Sequence, residues 1–415
     1  MINVELLSAI HDSAVGRCRL CGSTAKTLLD LGSMPPANWL MSTHIQAIRE
    51  FPLVLEKCDC GNFQLGYCLD AEDLYTHYNY ATPNSPSLSE HYSRLIRHLE
   101  QNGYLTPDSN VVEIGSNVGR FLAALRPRVK SVLGIDPARN IAEIANRNGI
   151  RTLVEFFDRR VARDVARVEG TADLVVARHC LAHNRDPYEI LDGIIELLAP
   201  DGALLIENAY AMSTLQQNEF DQIYHEHMFY FTLHAVRTML ERRGLALVDV
   251  MFSDIHGGSI ACVAKRSMSN AAITSRIAAE LWRERELLDY GLAQRFVDGT
   301  ASIQAQLKST IGDLRDRGCV IYAYGATAKG ATLMNSIGLT SRDISYCADS
   351  TPIKQGKFIP KCGIEIVSEE WAFANPPDVF LLTAWNYKNE LIAKARAAGL
   401  ERVRFIVPVP DVTIV

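Results

Sequence analysis

The densest run of titratable side chains in these 415 residues is Phe220-Asp221-Gln222-Ile223-Tyr224-His225-Glu226-His227-Met228-Phe229-Tyr230-Phe231. Histidine exchanges a proton near neutral pH, and a tyrosine hydroxyl can donate beside it, so the run suits acid–base chemistry. Its spacing predicts a helix on which Tyr224 and His227 share a face. His-x-His does not put two metal ligands on one helical face, and His-Glu-x-x-His is absent. The same run also fits a helix packed by its aromatic residues, with histidines hydrogen-bonded at its rim.

A second kind of chemistry lies near the start. Five of the ten cysteines, Cys18, Cys21, Cys58, Cys60 and Cys68, fall in the first seventy residues. Cys18-Arg19-Leu20-Cys21-Gly22 has the form of a zinc knuckle, and Cys58-Asp59-Cys60-Gly61 is a pair one residue tighter. Two close pairs can close a site of four thiolates, and such a site is structural because no ligand position stays open. Cys68 is an alternative to Cys58 or Cys60, and reduced core cysteines are the simpler reading.

Two glycine-bearing turns complete the set. Val111-Val112-Glu113-Ile114-Gly115-Ser116-Asn117-Val118-Gly119 carries a buried strand into a helix, and Val132-Leu133-Gly134-Ile135-Asp136 follows with a carboxylate suited to a ribose diol. Glu113 would repel a pyrophosphate but suits the cationic, phosphate-free S-adenosylmethionine. Phe156 or Phe157 could flank its adenine, or both could simply pack in the core. In Tyr324-Gly325-Ala326-Thr327-Ala328-Lys329 the turn carries lysine instead of acid. Free amides, a helix dipole and Lys329 would favour a phosphate there, with Asp349, Lys354 and Lys357 downstream.

These groups need scaffolds to hold them. Strands alternate with helices from Asn110 to Glu207, which implies a doubly wound parallel sheet with ligands at the carboxyl ends of its strands. Ala199–Gly202 is expected to be a turn, Met268 to Ile311 a largely helical connection, and Cys319 onward a second α/β unit. The tyrosine-rich stretch from Asp73 to Pro86 reads as a loop that folds over a site. The predicted architecture is α/β: a zinc module over 1–72, a central Rossmann-like S-adenosylmethionine-type domain over 73–265 and a C-terminal Rossmann-like domain over 266–415. A net charge of −6 and 22% charged residues argue against a nucleic-acid polymer or membrane partner. With no apolar run near membrane-span length and no visible signal peptide, a cytoplasmic protein, monomer or homodimer, is expected.

Together these pieces resemble the three-domain, S-adenosylmethionine-dependent C-methyltransferases of nucleotide-linked deoxysugars. The resemblance rests on Cys18-x-x-Cys21, Glu113-Ile114-Gly115-x-Asn117-x-Gly119, Leu181-Ala182-His183, Tyr224-His225-Glu226-His227, His256-Gly257-Gly258-Ser259 and Tyr324-Gly325-Ala326-x-Ala328-Lys329-Gly330. It implies a structural zinc, a central cofactor domain and a C-terminal domain that helps hold the nucleotide sugar. His227 is carried over as general base, with Tyr224, Glu226, His183, His225 and Tyr78 or Tyr80 at the site. The candidate cofactor contacts are Tyr80, Glu113, Gly115, Asn117, Gly119, Asp136, Pro137, Phe156, Phe157, Arg178 and His179. The candidate substrate contacts are Asn208, His256, Gly258, Tyr324, Gly325, Ala326, Thr327, Lys329, Asp349, Lys354 and Lys357. Cys58-x-Cys60 departs from the family's wider pair, and His179 stands where asparagine is expected.

The expected reaction is methylation of carbon, through an enolate formed beside the carbonyl of a 4-keto sugar. An O- or N-methyltransferase uses the same fold without exchanging a carbon-bound proton. A nicotinamide-dependent sugar dehydrogenase is disfavoured by Glu113, and a non-catalytic zinc-ribbon protein by the tyrosine–histidine run.

Overall fold

Three β-sheets organise the residues described by the computed structural model, 16–44, 46–75, 82, 85–267 and 274–415. The first is an antiparallel meander of β1 (Ala25–Met34), β2 (Phe51–Cys58) and β3 (Phe63–Leu65). Alternation along β2 turns Phe51, Leu53 and Leu55 into the core.

The central sheet begins with five parallel strands: β4 (Asn110–Ile114), β5 (Ser131–Ile135), β6 (Thr152–Leu153), β7 (Ala172–Arg178) and β8 (Leu198–Ala209). A short β9 (Phe229–Tyr230) leaves this unit and pairs with β3, extending the first sheet to β1-β2-β3-β9. The antiparallel hairpin β10 (Leu245–Ser253) and β11 (Ser259–Arg266) then closes the order β10-β11-β8-β7-β4-β5-β6. The chain winds one way from β4 to β6 and the other from β7 to β8. The switch point therefore lies between β4 and β7, where ligands of such sheets bind.

Local chemistry sets the helices. Asp158 and Asp186 accept the amides of Val161 and Tyr188, capping helices Arg159–Glu169 and Pro187–Leu197. Helix Pro86–Gln101 starts with proline after the capping Ser85, and its face Leu88, His91, Tyr92, Leu95, Ile96 and Leu99 is buried on the sheet. Each fully buried leucine there contributes roughly 1.5–3 kcal/mol.

The third sheet has the order β14-β13-β12-β15-β16-β17, from β12 (Ile321–Tyr324), β13 (Tyr346–Ala348), β14 (Glu365–Val367), β15 (Val379–Leu382), β16 (Arg404–Val407) and the antiparallel β17 (Thr413–Ile414). It has its own switch point between β12 and β15. Among the described residues no helix is long and apolar enough to cross a membrane.

Three expectations change. Residues 220–231 are not a helix: Phe220–Gln222 is a single 3-10 turn, followed by turns and β9. Pairing with the first sheet overrides the local helical spacing. Ala199–Gly202 lies inside β8, where pairing with β7 slips between Ala172 and Leu174. The connecting helix is two, Ser275–Asp289 and Leu292–Asp316, broken at Gly291 with φ +78°.

Candidate active site

The thiols of Cys18, Cys21, Cys58 and Cys60 all lie within 4.8 Å of one another. Cys18 Sγ is 3.6 Å from Cys60 Sγ, and Cys21 Sγ 3.4 Å from Cys58 Sγ. Both pairs end in a left-handed glycine, Gly22 at φ +80° and Gly61 at φ +84°, whose amides return to the carbonyls of Cys18 and Cys58. The tighter Cys58-x-Cys60 spacing still reaches the cluster because Cys58 closes β2 and its amide binds the Asn62 carbonyl. Cys68 is not in the group. Four convergent soft donors fit a structural zinc, with no thiolate left to act on substrate.

The cofactor turn occupies the central switch point. Gly115 has φ +67°, and a Cβ there would stand 2.6 Å from Cys180 Cβ; at Gly119, φ +74°, it would meet Ile150 at 2.8 Å. Asp136 directly follows β5 and accepts the Asn117 and Ala138 amides, flanking the half-buried Pro137. Asn117 Oδ1 also accepts the amide and hydroxyl of Thr82, tying the expected lid stretch to this turn. Tyr78 and Tyr80 lie outside the described residues. Phe157 packs in the core against Gly193 of helix Pro187–Leu197, whereas Phe156 is exposed.

Glu113 is more enclosed than its place beside the turn implies. Arg178 pairs with Glu207 at 2.7 Å and with Glu113 at 3.4 Å, and Glu207 also meets His91 Nε2 at 2.5 Å. The rings of Tyr92 and Phe121 cover the guanidinium. Burial, opposed by Arg178, pushes Glu113 up to about 8. Its Oε2 is buried without a hydrogen bond, an acceptor a cationic cofactor would satisfy. His91 and Glu207 escaped the sequence reading, although His91 shares the helical face of Leu88 and Leu95.

Contacts run from the glycine turn to the expected base. Cys180, against Gly115, opens the turn Leu181–His183, and the His183 ring lies 5.0 Å from that of His227. His183 stacks on Tyr75 on its other side. His227 Nδ1 faces the Gln222 carbonyl at 3.2 Å, and Nε2 lies 2.7 Å from the Tyr224 hydroxyl. A carbonyl only accepts, so Nδ1 carries the hydrogen and Nε2 the lone pair. Burial, then the neighbouring His183 and His179, hold His227 well below the usual histidine range, so it stays neutral at physiological pH. Burial likewise lowers His183 to about 3 and His179 to about 4.

Two members of the run turn away. His225 sits against the Phe51 ring and carbonyl of the first sheet, and Glu226 accepts from Asn38 Nδ2 at 2.9 Å while its carbonyl accepts from the Tyr75 hydroxyl. Both brace the zinc-bearing unit against the site.

The C-terminal unit closes the other wall. Lys329 Nζ donates to the His256 carbonyl at 3.2 Å and lies 4.6 Å from the centre of the Trp385 ring. His256, at φ +59°, meets the His179 ring edge-on. Gly257 and Gly258 have no room for a Cβ, which would come within 2.4 Å of the Glu219 carboxylate and of Ser213 respectively. Asn208, at the carboxyl end of β8, has both amide atoms buried without a hydrogen bond. A cavity of about 380 Å³ opens between the units, walled in part by Gln217, Asp254, Gly257, Trp385, Tyr387 and Lys388.

The second turn already satisfies part of its own cradle. The Ala326 amide is taken by Asp349 Oδ2 at 2.7 Å, the Thr327 amide by the Gly325 carbonyl, and the Gly330 amide by Thr327 Oγ1. A carboxylate already in the cradle repels an anion. Buried Lys354 donates to the Ala326 carbonyl and neighbours Asp349, so it neutralises that acid. Tyr324 is a core residue whose hydroxyl donates to Glu369, and Gly325 lies against Ala384. Lys357 is half-buried beyond this turn. Of this group, Lys329 alone reaches the central unit through its side chain among the bonds described above.

Known sequences match this arrangement. Family models describe residues 18–75 as a zinc binding domain, 87–250 as a methyltransferase domain and 254–410 as a C-methyltransferase C-terminal domain. The C-methyltransferase NovU of Streptomyces niveus is 35% identical over 407 residues, covering 97% of each chain. Among solved structures, magnesium protoporphyrin IX methyltransferase from Synechocystis PCC 6803 with bound S-adenosylmethionine is 15% identical, over 45% of this chain and 88% of that one, at TM-score 0.34. A Haloferax volcanii methyltransferase complex with its Trm112 activator aligns with 44% of this chain and 95% of that one, also at 15% identity and TM-score 0.34. Such loose overlaps carry no argument, whereas the near-full-length identity does. The chain belongs to the C-methyltransferase family, and it is an S-adenosylmethionine-dependent methyltransferase with a structural zinc.

Proposed function

We propose that the enzyme methylates the carbon beside the keto group of a nucleotide-linked deoxysugar, C3 of a dTDP-4-keto sugar, with His227 as base. The observation that carries this reading is the seating of His227, with Nδ1 at the Gln222 carbonyl and Nε2 at the Tyr224 hydroxyl, beside the His183 ring. The carbonyl acidifies the C3 proton, and Nε2 takes it as the enolate forms. Substrate entering at Nε2 releases the Tyr224 hydroxyl to donate to the enolate oxygen, with His183 as a second donor. Bound S-adenosylmethionine supplies the sulfonium methyl that the carbanion captures. Asn208 offers its unpartnered amide to a sugar hydroxyl, and the interunit cavity offers Trp385 and Tyr387 to a base and Lys388 to phosphate. Glu226 acts as a brace. The unit limits 1–72, 73–265 and 266–415 belong to the same proposal, with β9 lent to the first.

The test is incubation with S-adenosylmethionine and a panel of dTDP-4-keto-6-deoxyhexoses, with mass detection of product. A methyl gain at C3, and solvent deuterium entering C3 without the methyl donor, are expected. Methyl gain on an oxygen or nitrogen with no deuterium entry would remove the enolate reading.

A further inference from the structure

The segment that carries the base is gripped from the C-terminal unit. Asp221 is fully buried, and its Oδ2 accepts from Trp385 Nε1 at 2.6 Å. Lys329 lies over the same indole and donates to the His256 carbonyl. That carbonyl also accepts from Gln222 Nε2, which donates in addition to Glu219 Oε2 at 2.8 Å. Gln222 thus ties its side chain to Glu219 and to the carbonyl that Lys329 also holds, while its main-chain carbonyl takes partners of its own. The carbonyl accepts from His227 Nδ1 and from the Tyr230 hydroxyl at 3.1 Å. Asp221 and Gln222 are neighbours in one 3-10 turn, so shifting one carboxylate moves the other residue's carbonyl.

We propose that Trp385 and Lys329 are positioning residues: they hold the turn Phe220–Gln222 so that the Gln222 carbonyl fixes the tautomer of the His227 imidazole. This rests on His227 being the base, and it adds that the C-terminal unit sets the state of that base as well as walling the cavity. The glycines follow from the same requirement. A Cβ on Gly257 would push into Glu219, one of the two residues whose oxygens hold the Gln222 amide.

The full-length enzyme with ¹⁵N-labelled histidine tests this by NMR, the His227 signals being assigned by their loss in His227→Asn. The wild type is expected to show the Nδ1–H tautomer. Trp385→Phe keeps an aromatic ring but removes the donor to Asp221, and is expected to mix the tautomers. With the dTDP-4-keto sugar that the panel identifies, kcat should fall roughly tenfold while KM for S-adenosylmethionine holds. Asp221→Asn added to Trp385→Phe should do little further harm, since both act on one link. An unmoved tautomer in Trp385→Phe overturns the proposal. So does a rise in sugar KM with kcat unchanged, the mark of a cavity wall alone. Should His227→Asn retain turnover, the base reading falls, but the tautomer still decides the positioning.

Discussion

Replacing His227 by asparagine isolates its proton chemistry from its packing. The imidazole makes two polar contacts, Nδ1 to the Gln222 carbonyl and Nε2 to the Tyr224 hydroxyl, and sits among the rings of Tyr224, His183 and Tyr230. An asparagine amide can still donate toward Gln222, so one lost hydrogen bond and some ring contact cost about 1–2 kcal/mol of stability. The loss in rate is larger. A positioned base contributes about 10²–10⁴-fold, or roughly 3–5 kcal/mol of transition-state stabilisation. The residue is separated from the glycine turn by His183 and Cys180, so cofactor affinity should stay within about twofold. Methyl transfer is followed by product mass, proton abstraction by deuterium entry at C3, and affinity by calorimetry. Both rates should fall together. A variant that loses methyl transfer but still exchanges the C3 proton at the wild-type rate refutes the assignment, because another group then removes that proton.

Other outcomes follow from named contacts. Cys21→Ser, or a strong chelator, should release the zinc and lower the thermal midpoint; zinc loss with an unchanged midpoint would show that the thiols hold nothing up. Gly257→Ala, at φ +95° against the buried Glu219, should cost about 2–4 kcal/mol in urea unfolding, and a change below about 0.5 kcal/mol would contradict the packing. His225 is lowered to about 4 by burial against an ordinary 6.5, so the unfolded chain binds the extra proton between those values. Its contribution is full above 6.5 and lost as pH falls toward about 4. The stability of the wild type relative to His225→Gln should therefore be about 2 kcal/mol smaller at pH 5 than at pH 7.5, and a pH-independent difference would exclude a buried neutral imidazole.

What could be read from the sequence was local. The apolar runs of β4, β5, β7 and β12, and the glycines after β4 and β12, are visible because a strand buried on both faces needs no distant information. The four thiols were legible from spacing. The spacing pairs Tyr224 and His227 rightly but for the wrong reason: they meet across a turn, because β9 finds its partner in Phe63 and Gln64 of β3, far earlier in the chain. The turn after β12 is legible in the same way only in part: nothing local says that the Asp349 carboxylate reaches back to the Ala326 amide. Gln222, Asp221 and Trp385 were invisible as a set for that reason, and so was the Arg178–Glu207–His91 cluster, since each is assembled from separate elements.

The strand after His227 belongs to a sheet whose other members lie in the cysteine-rich unit. Arg19, between two of the thiols, donates to the carbonyls of Leu65 and Met228 and places its guanidinium over Phe229. The Met228 carbonyl also receives the Leu65 amide. Arg19 directly follows one of the thiols, so a metal held by them would be joined through one peptide unit to a clasp on the residue next to His227. Exchanging catalytic cores among relatives requires the metal-binding segment to travel with the core, since a transplanted core would arrive with Phe229 and Tyr230 lacking their neighbour.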